Sequence, residues 1–595
     1  MAALSDLERR LVEAAVAGET LDLRAAAERE LRAGVVRDVL LGEHGPVDAR
    51  GLQVRGAALV GTLDLDGLQT RVRLRLRDCA LPGLVLRGAS LPLLDLGGCT
   101  VGGLLADDAV VDGSVLLWRG FTCHGLVSLV GARIGGKLDL SGAVLAGGAG
   151  AALVADRITL GGDLLLDDAV GTGAAPAGTV QLTGARIAGR LSGRRLRLTN
   201  PAGPGLAAAS LHVTDMVDLS RGVEVRGSGP DGAVRLVGAR VGSLSLGQAR
   251  LENPDGRALS AHYLDVGGTL YLDQVTATGG IRVSGGRLLG GLSLEGATVD
   301  GAGRPALDAT RLQVGQAVRL AGAALRTTGD VAAVDLRSVR IAGDLDLRQA
   351  RVANPGQVAL RLNTATVDGR AILSELVVER GGLDFRDSAV GAFWDDPASA
   401  LPAEDGFVQL TGLTYRGVPG HPGVTVRERL AWLDRMPAYA AQPYRQLAAA
   451  YQGAGHEDEA RRVLVAQQQH LHRSLTGWTR LRHRLFGLTL QYGYQPVRAV
   501  ALLAAVLAIG VGLFLGLSAG TSTPAGTECP AVDRIGLAVD SAIPLVSTGA
   551  ADRCQLATGT EAGQALAAAG WLLTLLGWAT ATLVVAGYTG WVRRR

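Results

Sequence analysis

Pairs of aliphatic residues two positions apart return at nearly constant spacing along most of this chain: Leu138/Leu140, Leu164/Leu166, Val217/Leu219, Leu244/Leu246, Leu270/Leu272, Leu292/Leu294, Val318/Leu320 and Leu345/Leu347. Their first members lie 26, 53, 27, 26, 22, 26 and 27 residues apart, the 53 spanning one skipped position near Leu191. A spacing of two is the period of a strand, whose alternate side chains share a face. A fixed return every 26 or so residues marks a solenoid, in which each coil buries its apolar edge against the next. The expected fold is therefore mainly β, a parallel β-helix of some fifteen coils over 51–417, with the longer coils over 131–417.

A chain of 595 residues would ordinarily divide into several domains, but an array grows in one direction and escapes the limit on a single core. With 85 glycines and 4% aromatic residues, the interior must be built from many small layers of Leu, Val, Ile and Ala. A formal charge of +3 with 19% charged residues lacks the single-signed field that a nucleic-acid partner requires. No nucleic acid is expected. Lys137 is the sole lysine, and the abundance of arginine reads as genomic composition rather than recognition. Asp6, Glu8, Arg9 and Arg10 interrupt any apolar stretch where a secretory signal would lie, so the amino terminus is expected in the cytoplasm.

Residues 1–50 read as a helical cap, with Leu7, Leu11 and Ala14 on one face and Leu31, Val35, Val36, Leu40 and Leu41 on another; such a lid covers the open first edge of a coil stack. Over 51–130 the pattern tightens to five residues, with Leu81, Leu86, Leu91, Leu96, Val101, Val111, Leu116, Phe121 and Leu126 in register and Cys79, Ala89, Cys99 and Ala109 two places before alternate members. This stretch resembles the pentapeptide-repeat family, which implies a right-handed β-helix of four sides. Leu84, Leu94 and Leu104 depart from that family's small residues and leave a square or triangular section open. Cys79 and Cys99 are then small thiols stacked on adjacent coils. Farther on, Asn200-Pro-Ala-Gly203, Asn253-Pro-Asp-Gly256 and Asn354-Pro-Gly356 are turn formers that recur on alternate coils and should share one edge.

Helical periodicity takes over at 418–497, where Gln442-Pro-Tyr444 leads into Leu447, Ala448, Tyr451, Ala460 and Leu464, spacings that resemble one tetratricopeptide-type hairpin. Arg473, Arg480, Arg482, His483, Arg484 and Arg498 follow as a basic cluster at a membrane boundary. Two apolar runs, 498–518 and 565–590, are each close to the ~20 residues that cross a bilayer. Between them the loop 519–564 is acidic and carries a short apolar segment from Ile535 to Val546 that reads as interfacial or re-entrant. Arg593, Arg594 and Arg595 close the chain in a basic tail, 591–595. The positive-inside bias places both termini and the solenoid in the cytoplasm of a plasma membrane, with Tyr588 and Trp591 at the inner interface. Cys529 and Cys554 fall in the external loop, where oxidation is permitted, and are expected to pair.

No catalytic, cofactor or metal constellation emerges. Gly510-Val-Gly512 lies inside a span, no phosphate loop exists, and His470 and His472 point to different helix faces. The middle residues of the aliphatic pairs, Asp139, Leu165, Ser192, Asp218, Ser245, Tyr271, Ser293, Arg319 and Asp346, place no two aspartates on neighbouring coils; the aspartates read as solvent-facing spacers rather than a glycosidase-like pair. Over the full chain, Val35-Val-Arg-Asp-Val-Leu-Leu41, the Gly-Ala-Arg-Ile-x-Gly-x-Leu-x-Leu repeats, Gln442-Pro-Tyr-Arg-Gln-Leu447, Tyr492-Gly-Tyr-Gln-Pro-Val-Arg498 and the stretch from Gly577 to Gly590 resemble membrane-anchored β-helical proteins of high-GC bacteria often labelled membrane-associated oxidoreductases. That resemblance implies a membrane location and, by its label, redox chemistry, whereas the residues offer no flavin, nicotinamide or haem site. The expectation is a non-enzymatic scaffold without cofactors, bound to the bilayer and offering its lateral face or loop edge to a protein partner. A membrane-linked oxidoreductase is the first alternative, and a small pore formed by a homo-oligomer the second.

Overall fold

The computed structural model describes residues 3–394, 402, 406–418, 424–474, 497–543 and 545–592. The chain separates into two compact units, 1–446 and 447–595.

The first unit is a parallel β-solenoid of about 14 turns. Each turn contributes four short strands, two successive ones to each of two 26-stranded parallel sheets. In one turn Arg133–Ile134 and Leu138–Asp139 join the first sheet, and Val144–Ala146 and Leu153–Val154 the second. Strands of two or three residues suffice because each is held by the turns above and below rather than by its own length. The aliphatic pairs form one inward ladder: Leu138 is in register with Leu164, then Leu191, Val217, Leu244, Leu270, Leu292, Val318 and Leu345. Leu191 fills the skipped position, and every member is buried. Each buried aliphatic side chain contributes about 1.5–3 kcal/mol relative to exposure, so the fold gains its stability rung by rung.

Three local departures from expectation have physical causes. The first fifty residues are not only a helical lid. Between helices Asp6–Ala17 and Ala33–Leu41, Thr20–Asp22 pairs with Gln53–Arg55, and Glu30–Arg32 with Ala58–Val60, so the cap itself supplies the opening strands. A single inward leucine per strand, Leu21 and Leu31, leaves no periodicity to read. The five-residue register also slips by one after Asp112, so that Val115 and Leu117 point inward where Leu116 was expected. At Leu126 the inward places again pass to Val127 and Leu129.

The other end is closed by polar side chains. After the last strand, Thr414–Gly417, helix Val426–Asp434 begins with a Thr425/Glu428 capping box. From the helix Ala441–Gly453, Gln442 accepts from the Gly412 amide and donates to the Leu413 carbonyl, while Gln446 donates to the Tyr415 carbonyl. These bonds satisfy backbone groups that would otherwise leave an open strand edge.

The second unit holds helices Glu457–Ser474, Val497–Gly516, Ala531–Ala542 and Glu561–Val592. Of the two expected membrane spans, one is long and apolar enough to cross a bilayer among the described residues, Glu561–Val585. The other, Val500–Gly516 within the helix Val497–Gly516, is a shorter apolar stretch, at the lower limit of the ~17–25 residues that cross a bilayer. Around them, Val506, Phe514, Leu537, Ala538, Leu566 and Leu573 form a small core.

Candidate functional site

The outward face of the solenoid carries its polar and charged side chains, and most of that charge is committed to structure. Of the aspartates within the aliphatic pairs, Asp218 is half-buried, while Asp139 is 3% exposed and Asp346 6%, buried rather than solvent-facing; Asp95, Asp335 and Asp384 are buried like these two. Each stands just before a corner, and one carboxylate oxygen accepts the backbone N–H two residues on, at 3.0 Å for both Ser141 and Arg348. The other oxygen binds a cation. Asp346 holds Arg348 at 2.6 Å, Asp384 holds Arg386 at 2.7 Å, Asp95 holds Arg77 at 2.6 Å and Asp139 holds Lys137 at 2.9 Å. Burial alone would push the Asp139 carboxyl up, but hydrogen bonds from Ser141 and Lys137 outweigh it and hold the group below its ordinary range.

Where a serine replaces the aspartate, the carboxylate comes from the turn before. Ser192 bonds Asp167 at 2.6 Å, and the same oxygen accepts the Arg194 amide at 2.8 Å. Ser128 with Asp107 and Ser293 with Asp273 repeat the arrangement. The Asn-Pro loops are also staples. Asn200, Asn253 and Asn354 are buried, and each side-chain amide donates to a carbonyl of its own loop and to one of the preceding turn. Cys79, Cys99 and Cys123 are buried free thiols; a hydrogen bond with Cys79 and then burial push Cys99 well above the ordinary thiol range.

A different ladder on the first sheet is not committed in this way. Arg133, Thr159, Arg186, His212, Arg240, Asp265, Arg287, Gln313 and Arg340 stand in register on nine successive turns, all exposed. Two residues along the chain from several of them lie glycines without room for a side chain: a Cβ at Gly161 would meet the Gly135 carbonyl oxygen at 2.2 Å, and one at Gly315 the Leu289 carbonyl oxygen at 2.3 Å. Part of this face is a shallow cavity of about 310 Å³ lined by Arg287, Gln313, Gly315 and Arg340. The recurrent Gly-Ala-Arg-Ile segments announced this ladder in the sequence, although arginine there passed for a compositional filler.

In the second unit Cys529 and Cys554 are joined in a disulfide, with Cα atoms 6.1 Å apart. Beside them Arg553 binds Asp533 at 2.9 Å. Asp540 accepts from the Thr548 amide at 2.7 Å. The short helix Ala531–Ala542 packs closely on the long one, since a Cβ at Gly577 would meet the Ala542 carbonyl oxygen at 2.1 Å. Of the basic cluster, Arg480, Arg482, His483, Arg484, Arg593, Arg594 and Arg595 lie outside the described residues, as do the side chains of Arg473, Arg498, Tyr588 and Trp591. No group of three or more potential metal ligands occurs among the described residues.

Comparison of the chain with family profiles, curated proteins and solved structures finds no match.

Proposed function

We propose that this protein is a membrane-anchored scaffold whose β-solenoid offers its lateral surface to a protein partner. The observation that carries the reading is the division of labour on that surface. Asp–Arg pairs fix corners within a turn, as at Asp346–Arg348 and Asp384–Arg386, and tie neighbouring turns, as at Asp95–Arg77 and Asp167–Arg194, while a repeated, exposed ladder takes no part in that network. In an array, contact surface grows with the number of turns, which suits a protein whose task is to bind along its length.

Anchoring is supported by where large apolar side chains face outward. In the second unit Trp571 is 75% exposed and Leu575 70%, with Ile509 at 60% on the helix Val497–Gly516. Such a patch is costly in water and natural in lipid. In this reading both helices cross a plasma membrane, the Cys529–Cys554 disulfide marks the loop between them as external, and both termini and the solenoid are cytoplasmic. Affinity capture of the tagged full-length protein from detergent-solubilised membranes is expected to retain a stoichiometric protein partner. A chain that elutes alone with a visible absorption band of flavin or haem would instead favour the membrane-linked oxidoreductase. The close packing of Ala542 on Gly577 keeps a pore as a second reading, in which the short helix lines a path between the spans of several copies. Ion flux into liposomes carrying the purified protein tests it directly.

A further inference from the structure

We infer that the arginine ladder of the solenoid is the docking face, and that its occupant is an acidic α-helix of a protein partner. The inference rests on the scaffold reading and names the face and the chemistry of what it holds.

Arg133, Arg186, Arg240, Arg287 and Arg340 occupy the same place on every second turn. None forms an ion pair or a side-chain hydrogen bond among the described residues. By contrast Arg77, Arg194, Arg337, Arg348 and Arg386 are each bound to an aspartate. The five arginines therefore do no visible work in holding the coils together. Beside them Gly135, Gly161, Ala188, Gly267, Gly315 and Ala342 keep the surface low, and Leu289, 53% exposed, rises from it at the equivalent place beside Arg287.

Spacing selects the occupant. Stacked strands lie ~4.8 Å apart, which sets the arginines ~9.6 Å apart in a row ~38 Å long. One strand of duplex nucleic acid carries a charge every ~3.4 Å, so the row would meet about one phosphate in three. An extended peptide presents same-face side chains every ~6.7 Å, out of step after one interval. Residues seven apart on an α-helix share a face and lie ~10.5 Å apart, within about 1 Å of the arginine interval. Long arginine and glutamate side chains absorb that difference. Asp265, in the middle of the row, disfavours a continuous polyanion and is tolerated by a helix that carries a neutral or basic residue opposite it.

The test uses the full-length protein in detergent and a labelled helical peptide of about 28 residues, long enough for the row, with glutamate at every seventh position. A peptide of the same composition with its glutamates spread over all faces is the comparison. Fluorescence anisotropy is expected to show preferential binding of the first peptide, weakened about tenfold or more by combining Arg186→Ser, Arg240→Ser and Arg287→Ser, a few-fold for each pair lost. Serine is a safe replacement because Thr159, His212 and Gln313 hold equivalent places in the same ladder. Arg197→Ser with Arg351→Ser, two exposed positions on the other sheet, should leave binding unchanged. Equal binding of the two peptides, an unaffected triple variant, or tighter binding of a thymidine oligonucleotide would each overturn the inference. A photo-crosslinker placed at Gln313 and, separately, at Thr298 on the other sheet separates the two levels of the proposal. A captured partner that crosslinks from Thr298 alone removes the arginine face and leaves the scaffold reading standing; crosslinking from Gln313 supports both.

Discussion

Asp346 is 6% exposed, yet its two oxygens are fully used: one accepts the Arg348 amide at the corner, and both bind the Arg348 guanidinium. Removing a buried acceptor leaves its donors stranded, which costs more than the bond contributed. Asp346→Ala is therefore expected to cost about 1–3 kcal/mol, and Asp346→Asn, which keeps the corner bond, clearly less; urea unfolding midpoints at neutral pH check both. Glu8 gives a pH-dependent case. A hydrogen bond from Arg32, partly opposed by burial and reinforced by the Ser5 amide, holds its carboxyl at about 2, against an ordinary value of 4.5. Because the folded-state value is the depressed one, the stabilisation is complete above pH 4.5 and is lost as the pH falls from there through about 2. The shift corresponds to roughly 3 kcal/mol, discounted to about 2 because the Arg32 side chain is partly in water. Glu8→Gln should accordingly weaken hydrogen-exchange protection of 6–32 at pH 7, with the difference from the parent fading towards pH 2. These pairings were half legible in the sequence. Leu-Asp-Leu-Arg is visible at 345–348, but the even spacing of its aspartate and arginine suggests two outward residues, not a buried carboxylate with its own cation.

At the scale of the rung, legibility followed the number of inward side chains. Two aliphatic residues per strand sufficed to locate the ladder from Leu138 to Leu345, and the gap near Leu191 was filled by Leu191 itself. Where a strand has one inward residue, as at Leu21 and Leu31, only the neighbouring helices could be read. The one-residue slip at Leu116 was hidden because Val115, Leu116 and Leu117 are all apolar and only tertiary pairing decides among them. Leu191→Ala should cost about 2–5 kcal/mol through lost burial and an unfilled cavity. In a nearest-neighbour array the damage stays local, so exchange protection should fall in the turns holding Leu164 and Val217 and persist near Leu345.

For the whole molecule, the sequence displayed the division between repeated coils and apolar helices, since period and composition both change after Gly417. The site was far less legible, because an unpaired arginine and a paired one look alike in a string of letters. Orientation is open to a direct measurement. In intact cells, a membrane-impermeant maleimide is expected to label the protein at Cys529 and Cys554 only after a reductant has opened their bond. Labelling of these two without reductant would deny the bond between them, and none after it would place the loop on the other side. The arginine ladder also has a consequence for how such a chain can grow. Because Arg133, Arg186, Arg240, Arg287 and Arg340 alternate with neutral or acidic neighbours, its true module is a pair of turns. Inserting or excising one turn would bring two guanidinium groups onto adjoining strands, like charges side by side. Gain or loss in doublets keeps the phase, so natural variants of different length should differ by even numbers of turns, like a ruler cut only at its longer graduations.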